Sequence, residues 1–415
     1  MLHAPSALFP PDAPATAPYA RGTPPRPRVW ALLGPRTGDN NQVLALAEAL
    51  GGVVETKPLR YWPPRRLTPT NRFGGAGVAT LRPESRALLV PPWPDLVIGV
   101  GWRSVAAARW VKARSGGRAR AVWIGRPRCH PARLDLVVTT PQYGVPPGPA
   151  VLENPLCVTR QTPERLAEAA RAWAGRLRGF PEPRLVLLLG GDSWPHELRA
   201  EDARAACAAL AARAAARGGG VLAVGGRRTS PAVLEAVRAA LGAAPVPAAL
   251  LGGEGAENPY AALLASAAEI AVTADSAAMV SDAVAAGKPV GLVPVQPARF
   301  AGAWLRLVRG MRRAAEGEEG SNAPVRLLGR FWGTLVRRGL AGWPRDLWFF
   351  WRALERRGLV GTVGEPARGE PPAVADLAAA RVRRLLPVAE PPAPAGTGHG
   401  GAPPAPARPG GCGAA

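Results

Sequence analysis

Short runs of apolar residues alternate with amphipathic stretches from residue 28 onward. The first runs cover residues 29–33, 95–100, 121–124 and 134–138, and helical patterns such as residues 44–50 and 105–111 separate them. Apolar residues at consecutive positions are typical of strands that are buried on both faces of a parallel sheet. The pattern therefore predicts a doubly wound α/β domain in this part of the chain.

The same pattern restarts after Pro181-Glu182-Pro183. Apolar runs cover residues 184–189, 221–224, 269–273 and 289–293, and an alanine-rich helix is predicted at residues 201–217. We expect two Rossmann-like domains that face a cleft, with ligands at the carboxyl ends of the strands. The expected boundaries are 27–160 for the N-terminal domain, 161–183 for a helical linker, 184–325 for the C-terminal domain and 326–387 for a helical segment. The Pro-, Ala- and Gly-rich ends, residues 1–26 and 388–415, are predicted to be disordered.

Composition narrows the choice of partners. The net charge is +22, and only three of the 52 basic residues are lysines, so 49 are arginines. A GC-rich genome explains this as well as selection for charge does, but a strongly basic surface still favours anionic partners.

No run approaches the ~18 apolar residues of a membrane-spanning helix. The start lacks the pattern of a secretory signal, and four scattered cysteines indicate neither disulfides nor a zinc module. We expect a cytoplasmic protein, with peripheral contact to the inner face of the membrane left open.

Three loops that follow predicted strands carry small or hydrogen-bonding residues, at positions 34–42, 99–104 and 273–289. Glycines permit tight turns, and free amides at a helix N-terminus attract anions, although ordinary turns have the same composition. The loops match neither a Walker A motif nor a strict dinucleotide fingerprint. Ser276 is placed to cap a helix, and Asp282 is placed to accept hydrogen bonds from ribose. The alternative for Asp282 is a solvated helix charge.

One segment resembles the donor-site signature of GT-B glycosyltransferases, most nearly that of the lipid-linked N-acetylglucosaminyltransferase of peptidoglycan synthesis: Asp275-Ser276-x-x-Met279-x-Ser281-Asp282-Ala283-x-x-x-Gly287-x-Pro289. In that family a serine precedes a helix with an acidic residue, and a glutamine after the next strand meets the sugar. Gln296 matches that glutamine. Residues 94–101 are similar to the strand and glycine turn of that enzyme's acceptor domain.

A second resemblance covers most of residues 28–385, to the mitochondrial-fission (elongated-mitochondria) family. Its motifs occur in order at residues 34–42, 92–98, 138–143, 258–260 and 273–276. Bacterial members of that family are GT-B-like proteins without settled chemistry, often labelled nucleoside-diphosphate-sugar epimerases. The resemblance implies a GT-B-like α/β fold.

The sequence departs from the enzymes at two positions. The signature usually has Glu where this chain has Asp282, which shortens the reach to ribose. The peptidoglycan transferase has a His in its first glycine loop that suits a general base, whereas this chain offers Asp39 there, with an ordinary turn residue as the alternative. Epimerase activity is disfavoured, because no tyrosine is followed by Lys at the Tyr-x-x-x-Lys spacing.

Residues 299–360 combine 13 arginines with only five acids and five tryptophans. Such a mixture suits an interfacial amphipathic helix on an anionic membrane. The alternative is a helical bundle that closes the interdomain groove with tryptophan as packing. No nucleic-acid motif accompanies the stretch, so no specific nucleic acid is expected.

We therefore expect a hexosyltransferase that uses a nucleotide-diphosphate sugar near the membrane, with a lipid-linked acceptor as one option and Asp39 as the base. No Asp-x-Asp cluster is present, so neither a metal nor another cofactor is expected. The residues expected to bind the nucleotide sugar are Gly191, Ser193, Arg227, Thr229, Ser276, Met279, Asp282 and Gln296. Those expected to bind the acceptor are Gly34, Thr37, Gly38, Asn41, Gln42, Gly101, Trp102, Arg103 and Ser104. The alternative is a catalytically silent adaptor at a membrane surface.

Overall fold

The computed structural model describes residues 26–62, 76–252, 257–318, 320 and 322–386. Apart from residue 26, the two ends predicted to be disordered lie outside these ranges. No helix in the described part of the chain is both long and apolar enough to cross a bilayer.

The first domain is built on a six-stranded parallel sheet with the order β2-β1-β3-β4-β5-β6. Its strands are β1 Arg28–Leu33, β2 Val53–Pro58, β3 Leu96–Val100, β4 Arg120–Ile124, β5 Leu136–Thr139 and β6 Val151–Glu153. Helices α1 Thr37–Ala49, α2 Pro83–Ala87 and α3 Val105–Arg114 connect them. The strands β1, β3, β4 and β5 are almost wholly buried, as their continuous apolar runs predicted.

The second domain has a six-stranded parallel sheet with the order β10-β9-β7-β11-β12-β14. Its strands are β7 Arg184–Leu189, β9 Gly220–Gly225, β10 Ala248–Leu251, β11 Glu269–Thr273, β12 Val290–Val293 and β14 Gly361–Thr362. The short strands β8 His196–Glu197 and β13 Gln296–Pro297 pair separately and antiparallel. Helices of this domain are α4 Pro163–Leu177, α5 Ala200–Ala215, α6 Pro231–Gly242, α7 Tyr260–Ser266 and α8 Ala277–Ala285.

The C-terminal helices tie the two domains together. They are α9 Ala301–Ala315, α10 Ala323–Arg337, α11 Leu347–Glu355 and α12 Val374–Arg383. Helix α11 buries Leu347, Phe350 and Leu354 in the core of the second domain. Helix α12 returns to the first domain, where Ala378 and Val382 pack into its core. The predicted fold class, two Rossmann-like domains in a GT-B-like arrangement with added C-terminal helices, is confirmed.

Candidate functional site

The first glycine loop and helix α8 lie on opposite walls of one cleft. A Cβ atom built on Gly38 would lie 3.9 Å from the Cβ of Ala278, in the first turn of α8. Both segments follow the carboxyl ends of strands, where open α/β sheets bind ligands. The first glycine loop and the start of α8 therefore approach each other closely where the two domains meet.

A buried carboxylate organises the second-domain wall. Asp275 is fully buried, and it accepts hydrogen bonds from Gly191 N at 3.0 Å and from Thr273 Oγ1 at 2.6 Å. The Arg228 guanidinium reaches the same carboxylate at 3.2 Å. Burial raises the pKa of Asp275, against the opposing effects of these three donors. Gly190 must lack a side chain, since a Cβ there would lie 2.2 Å from a carboxylate oxygen of Asp275.

Two guanidinium groups stand at this end of the sheet. Arg228 donates to the carbonyl of Asp192 at 2.8 Å, and its side chain is 49% exposed. Arg345, half-buried, donates to Ser193 Oγ at 3.3 Å and to the carbonyl of Asp275 at 3.4 Å. Because Arg228 keeps much of its surface in solvent, it is available to an anion in the cleft.

Helix α8 begins beside these arginines. Ser276 is its N-cap, and Ser276 Oγ accepts a long hydrogen bond of 3.5 Å from Met279 N. The predicted capping role is thus confirmed. The amides of the first turn and the helix dipole make this terminus attractive to a phosphate.

Asp39 lies in the first turn of α1 on the opposite wall. Burial raises the pKa of its carboxyl group, while the charges of Arg36, Arg345 and Arg228 lower it. Two of these three arginines belong to the C-terminal half of the chain, so Asp39 senses charges from across the cleft. Asn40 holds the loop in shape through two 2.8 Å hydrogen bonds with the backbone of Gly34.

A further cation follows strand β4. Burial lowers the pKa of Arg126 to about 10, and Arg128 adds to this effect while Tyr143 opposes it. Burial raises the pKa of Tyr143, the charge of Arg345 lowers it and the charge of Asp39 raises it. The first-domain wall therefore carries a basic group in addition to Asp39.

The other residues predicted to bind the acceptor have local roles in the structure. Gln42 donates to the carbonyl of Gly38 at 3.5 Å, and Ser104 donates to that of Val100 at 3.1 Å. The guanidinium of Arg103 lies 5.5 Å from the Trp102 ring centre. Thr37 is exposed at the start of α1, Asn41 is half-buried on it, and Gly101 has a positive φ of 73° that favours glycine.

The remaining residues predicted to bind the nucleotide sugar have local contacts in the structure. Thr229 Oγ1 donates to the carbonyls of Leu189 and Gly190, which fastens the ends of β7 and β9 together. Arg227 is exposed. Met279 packs against the core, and Gln296 donates to Asp202 Oδ1 at 3.4 Å.

Asp282 holds the segment that leads from the first domain to the second. Its two carboxylate oxygens accept hydrogen bonds from Thr159 Oγ1 and from Tyr260 OH, the latter at 3.0 Å. The neighbouring Ser281 Oγ accepts one from Cys157 N at 2.9 Å. Burial raises the pKa of Asp282 to about 6, although both hydrogen bonds lower it. The role at ribose stays a prediction, and the contacts that exist anchor the linker.

Sequence reasoning missed Asp275 as the organising carboxylate and missed Arg126, Arg228 and Arg345. The only local signal for Arg228 is the doublet Arg227-Arg228, and residue spacing does not show which of the two arginines contacts the site. Arg345 comes from a segment about 70 residues after Asp275. Within the described ranges, no three His, Cys, Asp or Glu side chains cluster so as to hold a metal ion.

Comparison with solved structures returned distant similarities. MurG of Acinetobacter baumannii is 15% identical with a TM-score of 0.39, over 86% of this chain and 100% of that chain. The UDP-GlcNAc 2-epimerase of Neisseria meningitidis bound to UDP-GlcNAc is 10% identical with a TM-score of 0.40, over 86% and 99%. HepE of Anabaena in complex with UDP-glucose is 12% identical with a TM-score of 0.38, over 87% and 100%.

No curated protein sequence matches the chain. The family model described as mitochondrial fission ELM1 matches residues 37–322, which is more than half of the sequence. This match agrees with the order of motifs in the sequence. The chain therefore belongs to the mitochondrial fission ELM1 family.

Proposed function

We propose that the cleft binds a nucleotide-diphosphate sugar and transfers the sugar directly to an acceptor on the first-domain wall. The observation that carries this proposal is the meeting of Arg228, Arg345 and the N-terminus of α8 at one end of the second sheet, opposite Asp39. A diphosphate is the substrate group that such a set of donors fits best.

The leaving group is stabilised by fixed charges. As the bond from the anomeric carbon to the diphosphate breaks, negative charge develops on the phosphate oxygens. Arg228 and Arg345 stand where they can donate to those oxygens, and the first-turn amides of α8 add partial positive charge. This chemistry requires no metal ion at the diphosphate.

Asp39 is the proposed general base. The acceptor hydroxyl attacks the anomeric carbon, its proton passes to the Asp39 carboxylate, and the electron pair of the broken bond leaves with the nucleoside diphosphate. A carboxyl group whose pKa is raised by burial is a stronger base than an exposed one. Asp282 anchors the linker through Thr159 and Tyr260, and each of its oxygens keeps a lone pair for the predicted contact to a ribose hydroxyl.

The C-terminal helices support a reversible contact with an anionic membrane. Helices α9 and α10 expose large apolar side chains, namely Trp304, Leu307, Leu327, Leu328 and Phe331. Exposed arginines, Arg306 and Arg330 among them, lie on the same two helices. Apolar and basic groups together favour an interfacial position, which suits a lipid-linked acceptor. The same surface favours the runner-up, a catalytically silent membrane adaptor.

Calorimetric titration of matched arginine variants tests the proposal. Arg345→Gln removes a donor from the cleft, whereas Arg171→Gln removes an exposed arginine of the same charge on helix α4. A hydrogen bond to a charged group contributes about 1.5–3 kcal/mol, so Arg345→Gln should weaken nucleotide-sugar binding about tenfold or more. Arg171→Gln should change it little. Equal effects of the two substitutions would indicate general electrostatics and would contradict the proposed site.

A further inference from the structure

A second concave site lies between the first domain and the C-terminal helices, behind the short turn Pro141–Tyr143. Its volume is about 560 Å³, within the range of small-molecule sites. One wall is formed by the loop after that turn, with Val145, Pro146 and Pro147. Helices α9, α10 and α11 form the other walls. Nothing in the proposed glycosyl transfer uses this groove.

An arginine with an unused donor lies at its base. Arg312 on α9 is only 5% exposed, and its Nε donates to Glu316 Oε1 at 2.8 Å. Its guanidinium stands 3.7 Å from the ring centre of Phe349. Its Nη1 is buried and finds no acceptor among the residues that the structure describes. A buried charged donor is normally satisfied, so this atom points to a ligand oxygen.

The backbone of the groove leaves room for this guanidinium. A Cβ built on Gly144 would lie 2.8 Å from Arg312 Cζ and 2.9 Å from Trp343 Cδ1. Gly144 also has a positive φ of 55°, which side chains rarely adopt. The glycine therefore lets the arginine approach the loop closely.

More arginines than acidic residues line the groove. Arg337, Arg352 and Arg356 line the groove, and none forms an ion pair within the described ranges. Three acids also line it. Glu316 pairs with Arg312, and Glu318 pairs with Arg313 outside the lining. Burial raises the pKa of the third, Glu153, while the charge of Arg312 lowers it.

The rest of the wall is apolar and aromatic. Beside the loop prolines it presents Val336, Trp343, Trp348 and Phe349. We propose that the groove binds a phosphate group attached to an apolar chain, with Arg312 and the rim arginines on the phosphate and the chain along these side chains. Guanidinium groups from three helices suit an anion with three acceptor oxygens better than a carboxylate. The apolar face of α10 nearby favours a lipid as the source.

Binding of soluble probes to the full chain tests this site. The probes are decyl phosphate below its micelle concentration, inorganic phosphate, and decanol, which has the chain without the charge. Arg312→Met removes the unused donor, and Ala353→Trp fills the groove while Arg312 stays intact. Arg338→Met is the matched control, because Arg338 is exposed at the C-cap of α10 and lies outside the groove lining. Thermal unfolding of each variant checks that it is folded.

We expect wild type to bind decyl phosphate at least tenfold more tightly than inorganic phosphate or decanol. Arg312→Met and Ala353→Trp should each weaken that binding at least tenfold, and Arg338→Met less than twofold. Equal binding of inorganic and decyl phosphate would overturn the lipid assignment in favour of a water-soluble phosphate. Binding that is absent, or unchanged by both groove variants, would overturn the site. Neither result depends on nucleotide-sugar binding in the cleft.

Discussion

The Asp282 carboxyl group makes the stability of the protein depend on pH in a direction that one substitution tests. Burial raises its pKa from 3.8 to about 6. An acid whose pKa is higher in the folded than in the unfolded state favours its protonated form in the folded state. Ionisation of Asp282 therefore lowers the free energy of unfolding as the pH rises from about 4 to about 6, and this loss of stability is complete above that range.

The size of this loss follows from the shift. A rise of about two pKa units corresponds to about 3 kcal/mol. Asp282→Asn removes the charge, keeps an oxygen that accepts from Thr159, and offers an N–H group to Tyr260. We expect the variant to exceed wild type in stability by up to about 3 kcal/mol at pH 7.5, and to match it near pH 4.

Urea unfolding followed by tryptophan fluorescence at several pH values measures this difference. The control is Asp376→Asn, at an exposed carboxylate in the first turn of α12. At that position the helix N-terminus stabilises the negative charge, so Asp376→Asn should lower the free energy of unfolding by about 0.5 kcal/mol at neutral pH. This effect is opposite in sign to the one expected for Asp282→Asn. If Asp282→Asn is less stable than wild type at pH 7.5, the carboxylate stabilises the linker as an ion and the reasoning fails.

Three further outcomes follow from the site and the surface. Asp39→Asn should reduce transfer rates at least about 100-fold while leaving nucleotide-sugar affinity nearly unchanged, and the wild-type rate should rise with pH as Asp39 loses its proton. Unaltered kinetics would remove its role as base. Gly190→Ala should destabilise by about 1–3 kcal/mol in urea, because its Cβ meets a buried carboxylate, whereas Gly175→Ala, with open space on helix α4, should stabilise by about 0.5–1 kcal/mol. The double variant Leu327→Gln, Phe331→Gln should sediment less than wild type with anionic vesicles at low salt. Equal binding of wild type to neutral and anionic vesicles would contradict the electrostatic contribution to membrane contact.

The sheets could be predicted because their signal is local. Residues 29–33 and 185–189 are apolar at every position, and they lie in β1 and β7, each with both faces covered. The signal for the Ser276 cap is local as well, because Ser276 Oγ accepts a hydrogen bond from Met279 N, only three residues later. The restart of the apolar pattern after Pro183 predicted the second domain, and the order of motifs added the family.

The partners of the site residues could not be predicted, because they come from distant segments. Asp282 looks like a helix charge until Thr159, 123 residues earlier, is seen to donate to it. Arg345 joins the cleft from the segment between α10 and α11. In the basic, tryptophan-rich stretch, Trp343 is 5% exposed and packs as the alternative predicted, whereas Trp304 is 37% exposed, and the membrane contact stays a prediction. Composition alone does not distinguish the buried tryptophans from the exposed ones.

Binding of a nucleotide-diphosphate sugar in the cleft is tested most directly by calorimetric titration of the full chain with uridine, guanosine and thymidine diphosphate sugars. We expect at least one to bind with a 1:1 stoichiometry and to raise the free energy of unfolding by about 2.7 kcal/mol at 100 times its dissociation constant. Ser276→Ala should weaken that binding, because it removes the N-cap of the helix that we propose binds the diphosphate. Absence of binding by wild type to every member of the series would contradict the donor site and favour the membrane adaptor.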